Sequence, residues 1–66
     1  MSAAALILDD LRERLAAATA VRDEAWASNG SGSVAATRRL ATERMVTAWA
    51  EAVEIAERHV LAEEAA

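Results

Sequence analysis

Asn29-Gly30-Ser31-Gly32-Ser33 is the one stretch of this chain that interrupts a helical pattern. It holds both glycines of a 66-residue sequence that contains no proline. On either side run long alanine-rich stretches with nothing to stop a helix. Glycine and asparagine clustered between two such stretches read as one tight connection between two helices, an αα-hairpin. The spacing predicts helix 1 over about residues 2–28, the turn over 29–33 and helix 2 over about residues 34–64, in a single hairpin spanning 1–66. Ser2 and Ser33 stand where N-caps are expected. Gly30 is placed to end helix 1 in a left-handed conformation.

Working outward from the turn, helix 1 carries Ala4, Ile7, Leu8, Leu11, Leu15, Ala18, Val21, Ala25 and Trp26 on one side at about 100° per residue. Asp9, Glu13 and Glu24 lie opposite, and Asp10–Arg14 forms an i,i+4 pair of favourable sign. On helix 2, Val46, Trp49, Val53, Ala56 and Val60 alternate spacings of 3 and 4, as a coiled-coil seam does. A second stripe, Ala41, Met45, Ala48, Ala52, Ile55 and His59, runs beside the first. The apolar face of helix 2 is therefore wider than one neighbour needs. Arg39, Glu43, Glu54, Glu57 and Arg58 are assigned to the far side, with Glu54–Arg58 as a second i,i+4 pair. Leu40 and Leu61 also fall on the polar side.

Composition bears on what such a hairpin can do alone. Hydrophobic residues make up 55% of the chain, but more than half of them are alanine; the large ones are six Leu, five Val, two Ile, two Met and two Trp. Alanine favours helix and close helix approach, yet buries little area. A chain of this size is marginal without disulfides, a metal or a partner. It has no cysteine and one histidine, which removes disulfides and any zinc site of the usual Cys or His type within one chain. Association is what remains. The expected fold is all-α, a two-helix antiparallel hairpin that completes a four-helix bundle by dimerisation.

The same residues argue against catalysis. His59 has Ile55 and Ala56 on its own face where a metal-binding or base-orienting acid would be needed. Gly30-Ser31-Gly32 lacks the strand before it that a phosphate loop requires. No catalytic, cofactor-binding or metal-ligating residue is expected, and no cofactor. A net charge of −4 disfavours nucleic acid and anionic membrane. The N-terminal residues lack the basic region of a signal peptide, and no run approaches the ~20 apolar residues of a membrane span. These features predict a cytoplasmic or virion-associated protein. All seven basic residues are Arg; with the alanine excess this fits a GC-rich coding genome, such as that of an actinobacterium or one of its phages.

The expected partner is a second copy of the chain, a larger protein assembly, or both, with no nucleic acid and no membrane. The contacts are assigned to Leu8, Leu11, Leu15 and Trp26 of helix 1 and to Met45, Val46, Trp49, Val53 and Val60 of helix 2. Arg22 and Arg38 fall inside the apolar faces near the turn, where a charge needs a partner. Glu63 of a second, antiparallel hairpin is the acid expected to meet one of them. The function this implies is a small non-enzymatic interaction or structural protein, a component of an assembly such as a phage particle. A regulatory module that covers a partner protein, such as an antitoxin or inhibitor, is the alternative.

A tryptophan near the turn of a helical hairpin, followed by glycine, also resembles the Trp-x-Gly family of small type VII secretion substrates. The resemblance rests on Trp26 and Gly30, and on His59 and Glu63, which stand where that family carries a C-terminal export signal. It implies a secreted hairpin that dimerises into a four-helix bundle. The chain departs from the family in the spacing, Trp26-x-x-x-Gly30 rather than Trp-x-Gly, and in being shorter.

Overall fold

The computed structural model describes residues 2–66, which form two helices, α1 (Ala3–Ala27) and α2 (Ser33–Ala65), joined by a five-residue connection. The hairpin is a rod of 52 × 15 × 12 Å with a radius of gyration of 15.3 Å. A compact chain of this length would have a radius of about 11 Å. The smallest dimension equals the diameter of a single helix, ~10–12 Å. A layer one helix thick leaves few positions where a side chain is enclosed from all sides.

The seam between the helices follows a heptad pattern. On α1, Ala4, Leu8, Leu11, Leu15, Ala18, Arg22 and Ala25 are the buried or half-buried positions that recur at steps of 4 and 3. On α2 the matching series is Ala35, Arg39, Thr42, Val46, Trp49, Val53, Ala56 and Val60. Successive steps of 4 and 3 keep one edge of each helix against the other. The helices lie antiparallel with Ala25 level with Arg39 and Arg14 level with Trp49. Among the described residues only four hydrophobic side chains are buried, Leu8, Ala18, Ala25 and Val53, and two of these are alanine.

Each helix end follows from its local chemistry. Ser2 caps α1, its Oγ accepting from the Ala5 N–H at 3.1 Å. The other end of α1 is closed from across the hairpin. Arg39 donates through Nε to the Ala25 carbonyl at 3.2 Å, and through Nη2 to the carbonyls of Ser28 at 2.9 Å and Gly30 at 3.1 Å. The last carbonyls of a helix have no partner within it and carry its negative dipole end. A guanidinium placed there satisfies one helical carbonyl and two turn carbonyls at once.

Several expectations are corrected. Gly30 does not adopt the left-handed conformation; the positive φ falls on Gly32 instead, at φ 94° with an extended ψ of −176°. Helix 1 ends instead at Ser28 in extended conformation, its N–H bonded to the Glu24 carbonyl. Ser33 is the first helical residue rather than the N-cap; Gly32 occupies that position and offers no side-chain cap. Arg39 is not on the far side of α2 but in the seam, because it stands two helical turns before Val46; the carbonyls at the end of α1 then receive its guanidinium. Glu43 is likewise half-buried, drawn in by Trp26 and Arg22. The Asp10–Arg14 pair forms at 3.0 Å, whereas the ion pairs among the described residues do not include Glu54–Arg58.

Candidate interaction surface

A one-layer hairpin has two broad faces, and the heptad pattern assigns different chemistry to each. Residues one step from the seam on the first face are Ile7, Arg14 and Val21 of α1 and Arg38, Met45, Ala52 and His59 of α2, seven residues apart in each helix. Two turns of helix return a side chain to nearly the same direction. Behind the α2 column lie Ala41, Ala48 and Ile55. This face is dominated by apolar and small side chains. The corresponding positions on the second face include Arg12, Thr19 and Trp26 of α1 and Glu43 and Glu57 of α2, which make it polar.

On the first face an open groove of about 470 Å³ runs toward the open end of the hairpin. Ala4, Ile7, Leu11, Ala52, Ile55 and Ala56 line it, with His59 and Glu63 as its polar members. Ile7 is 57% exposed and Ile55 50% exposed, although each is among the largest apolar side chains available. Toward the tip the same face continues through Val21 and Met45, both also exposed. At its middle the Arg14 guanidinium lies 5.6 Å from the centre of the Trp49 ring while Nε donates to Asp10 at 3.0 Å. The one positive charge at the centre of the face is therefore paired with an acid and spread over an aromatic surface.

On the second face, near the tip, polar contacts tie the helices together. The Trp26 Nε1–H donates to Glu43 Oε1 at 3.0 Å. Arg22 lies 3.0 Å from Asp23 and 3.7 Å from Glu43. The Arg39 guanidinium lies 5.4 Å from the centre of the Trp26 ring. Trp26 is nonetheless 56% exposed, and Leu40 lies beside it.

The residues assigned to contacts by sequence separate accordingly. Leu8 and Val53 are buried between the two helices, and Leu11, Leu15, Val46, Trp49 and Val60 are half-buried along the same seam. Met45 lies on the open apolar face and Trp26 on the polar one. Arg22 finds its acids, Asp23 and Glu43, within its own chain. Arg38 is exposed near the tip beside Val34, Thr37 and Ala41, and Glu63 lines the groove at the opposite end. Among the described residues neither forms an ion pair or a side-chain hydrogen bond.

Thr42 and Arg39 are polar seam residues of α2 that apolar periodicity does not mark. Stepping back from Val46 by 4 and 3 reaches both. Thr42 is buried with its Oγ1 donating to the Arg39 carbonyl at 2.9 Å, so its hydroxyl costs little in the seam. Among the described residues no three His, Asp or Glu side chains converge as a metal site would require, and no helix is long and apolar enough to cross a membrane. No family model matches the chain, and no curated protein or solved structure matches it significantly.

Proposed function

We propose that this chain is a non-enzymatic interaction protein whose working form is a pair of hairpins closed into a four-helix bundle, serving as a small building block of a larger protein assembly. The observation that carries this reading is the disposition of apolar side chains. Among the described residues nine large hydrophobic side chains are exposed and only two, Leu8 and Val53, are buried. Ile7, Val21, Met45 and Ile55 share one face rather than being scattered, and clustered exposure is what marks an association surface. Packing that face against a second hairpin doubles the layer and gives it an interior, as in bundles of four helices.

The surface is suited to a helix rather than to a small molecule or an extended peptide. At its centre α2 presents Ala48 and Ala52, which let helix axes approach closely, and the apolar residues of the face recur at helical spacing. Sedimentation equilibrium of the purified chain tests the reading. It predicts a mass of twice 7.0 kDa, shifting toward the monomer on dilution. A Met45→Glu, Ile55→Glu variant is expected to remain monomeric, because two charges would be buried without partners. A wild-type chain that is a folded monomer at every concentration contradicts it.

A further inference from the structure

Resting on the reading that a second copy covers the apolar face, we propose that the two hairpins lie antiparallel, the tip of each against the open end of the other, with α2 packed over the partner's α2. Charge favours this arrangement. The turn half, residues 17–45, holds four Arg and three acids, a net of +1. The open half holds three Arg and eight acids, a net of −5. Parallel hairpins would stack two halves of −5 within one helix spacing, about 10 Å, comparable to the screening length in physiological salt. Antiparallel hairpins set each acidic half over a half of opposite sign.

Shape favours it as well. An axis that reverses the rods while joining their faces runs across them within the interface, and it places each helix over its own copy. The midpoints of Ala3–Ala27 and Ser33–Ala65 are Leu15 and Trp49, which lie level along the rod, since Arg14 stacks on Trp49. An axis at that level brings Ala48 and Ala52 against the partner's Ala48 and Ala52. On α2 the small side chains at the crossing allow close packing; on α1 the two copies of Arg14 come side by side there, each already paired with Asp10 and stacked on Trp49. Met45, four residues toward the tip, then meets the partner's Ala52, a large side chain against a small one. Arg38, eleven residues toward the tip, arrives level with the partner's Val60 and within one turn of the partner's Glu63. Among the described residues neither charge has a partner, and the antiparallel dimer supplies one at each end.

Single-cysteine variants test the arrangement cleanly, because the chain has no cysteine of its own. Under mild oxidation Ala48→Cys, beside the axis, is expected to give a disulfide-linked dimer. Ser31→Cys, at the tip, is expected to give none, because the tips stand at opposite ends of a 52 Å rod. Arg38→Glu is expected to weaken the dimer about threefold to tenfold, the scale of an exposed ion pair made twice, and adding Glu63→Arg to restore it. A chain that sediments as a dimer yet links through Ser31→Cys, or fails to link through Ala48→Cys, overturns the orientation and leaves self-association standing. Rescue of Arg38→Glu by Glu24→Arg instead of Glu63→Arg also overturns it, since parallel hairpins set Arg38 over the partner's Glu24. A chain that sediments only as a monomer removes the reading on which the orientation rests.

Discussion

Arg39 of α2 closes the C-terminus of α1 through Ala25: its Nε donates to the Ala25 carbonyl at 3.2 Å while the same guanidinium reaches the turn. The contact couples the two helices where the connection is weakest, at a turn with no disulfide, no proline and no side-chain cap on α2. Arg39→Ala is expected to destabilise the hairpin by about 1.5–3 kcal/mol, the range for hydrogen bonds that involve a charged group. Arg39→Lys should recover only part of this, since an ammonium lacks the planar fork that serves several carbonyls together. Denaturant titration of the three proteins measures both. Equal stability of the wild type and the alanine variant would sink this account of the turn.

The two glycines differ in what they contribute. Gly32, at φ 94° and ψ −176°, sits in a region that is essentially reserved for glycine. A Cβ there meets nothing within 4 Å, so the cost of Gly32→Ala is purely backbone strain, about 1–3 kcal/mol. At Gly30 the backbone is ordinary, and a Cβ would meet the Ser28 Oγ at 3.2 Å, a side chain that can rotate away. Gly30→Ala is therefore the milder change. Thermal unfolding of the two variants at equal concentration ranks them, and the reverse order would refute the assignment.

The tryptophans should report on different surfaces. Trp49 is half-buried at the middle of the seam and the apolar face, under Arg14. Trp26 is 56% exposed on the polar face, held by Glu43. In the single-tryptophan variants Trp26→Phe and Trp49→Phe, acrylamide quenching of Trp49 should fall as protein concentration rises, while that of Trp26 stays high throughout. Trp49→Ala is expected to cost about 3–5 kcal/mol in the assembled state, as for other buried aromatics, and Trp26→Ala less. Free quenching of Trp49 at high concentration contradicts its place at the centre of the assembly.

Much of the hairpin can be read from the chain because it rests on apolar periodicity and turn chemistry. Val46, Trp49, Val53, Ala56 and Val60 mark the seam of α2, and the glycine-serine stretch marks the turn. The remainder of the seam is harder to see, since its residues are polar and their burial depends on the other helix. Arg39 is received by the carbonyls of Ala25, Ser28 and Gly30, Glu43 by Trp26 and Arg22, and Thr42 is accommodated by a bond to its own helix. An apolar moment cannot register any of these. On α1 a single broad apolar arc divides in three dimensions: Leu8 and Ala18 enter the seam, Ile7 and Val21 open onto one face, and Trp26 falls on the other. Which glycine takes the positive φ depends on how α2 enters, and both candidates look alike in sequence.

A thermal melt followed by circular dichroism over a wide range of protein concentration tests most directly the proposal that this hairpin acquires its interior only by association. Folding linked to dimerisation makes the midpoint concentration-dependent. The account predicts a midpoint and a helicity that both rise as the protein is concentrated, with the melt of the Met45→Glu, Ile55→Glu variant lying below that of the wild type. A cooperative melt with one midpoint at every concentration, from a species that sediments at 7.0 kDa, would contradict it.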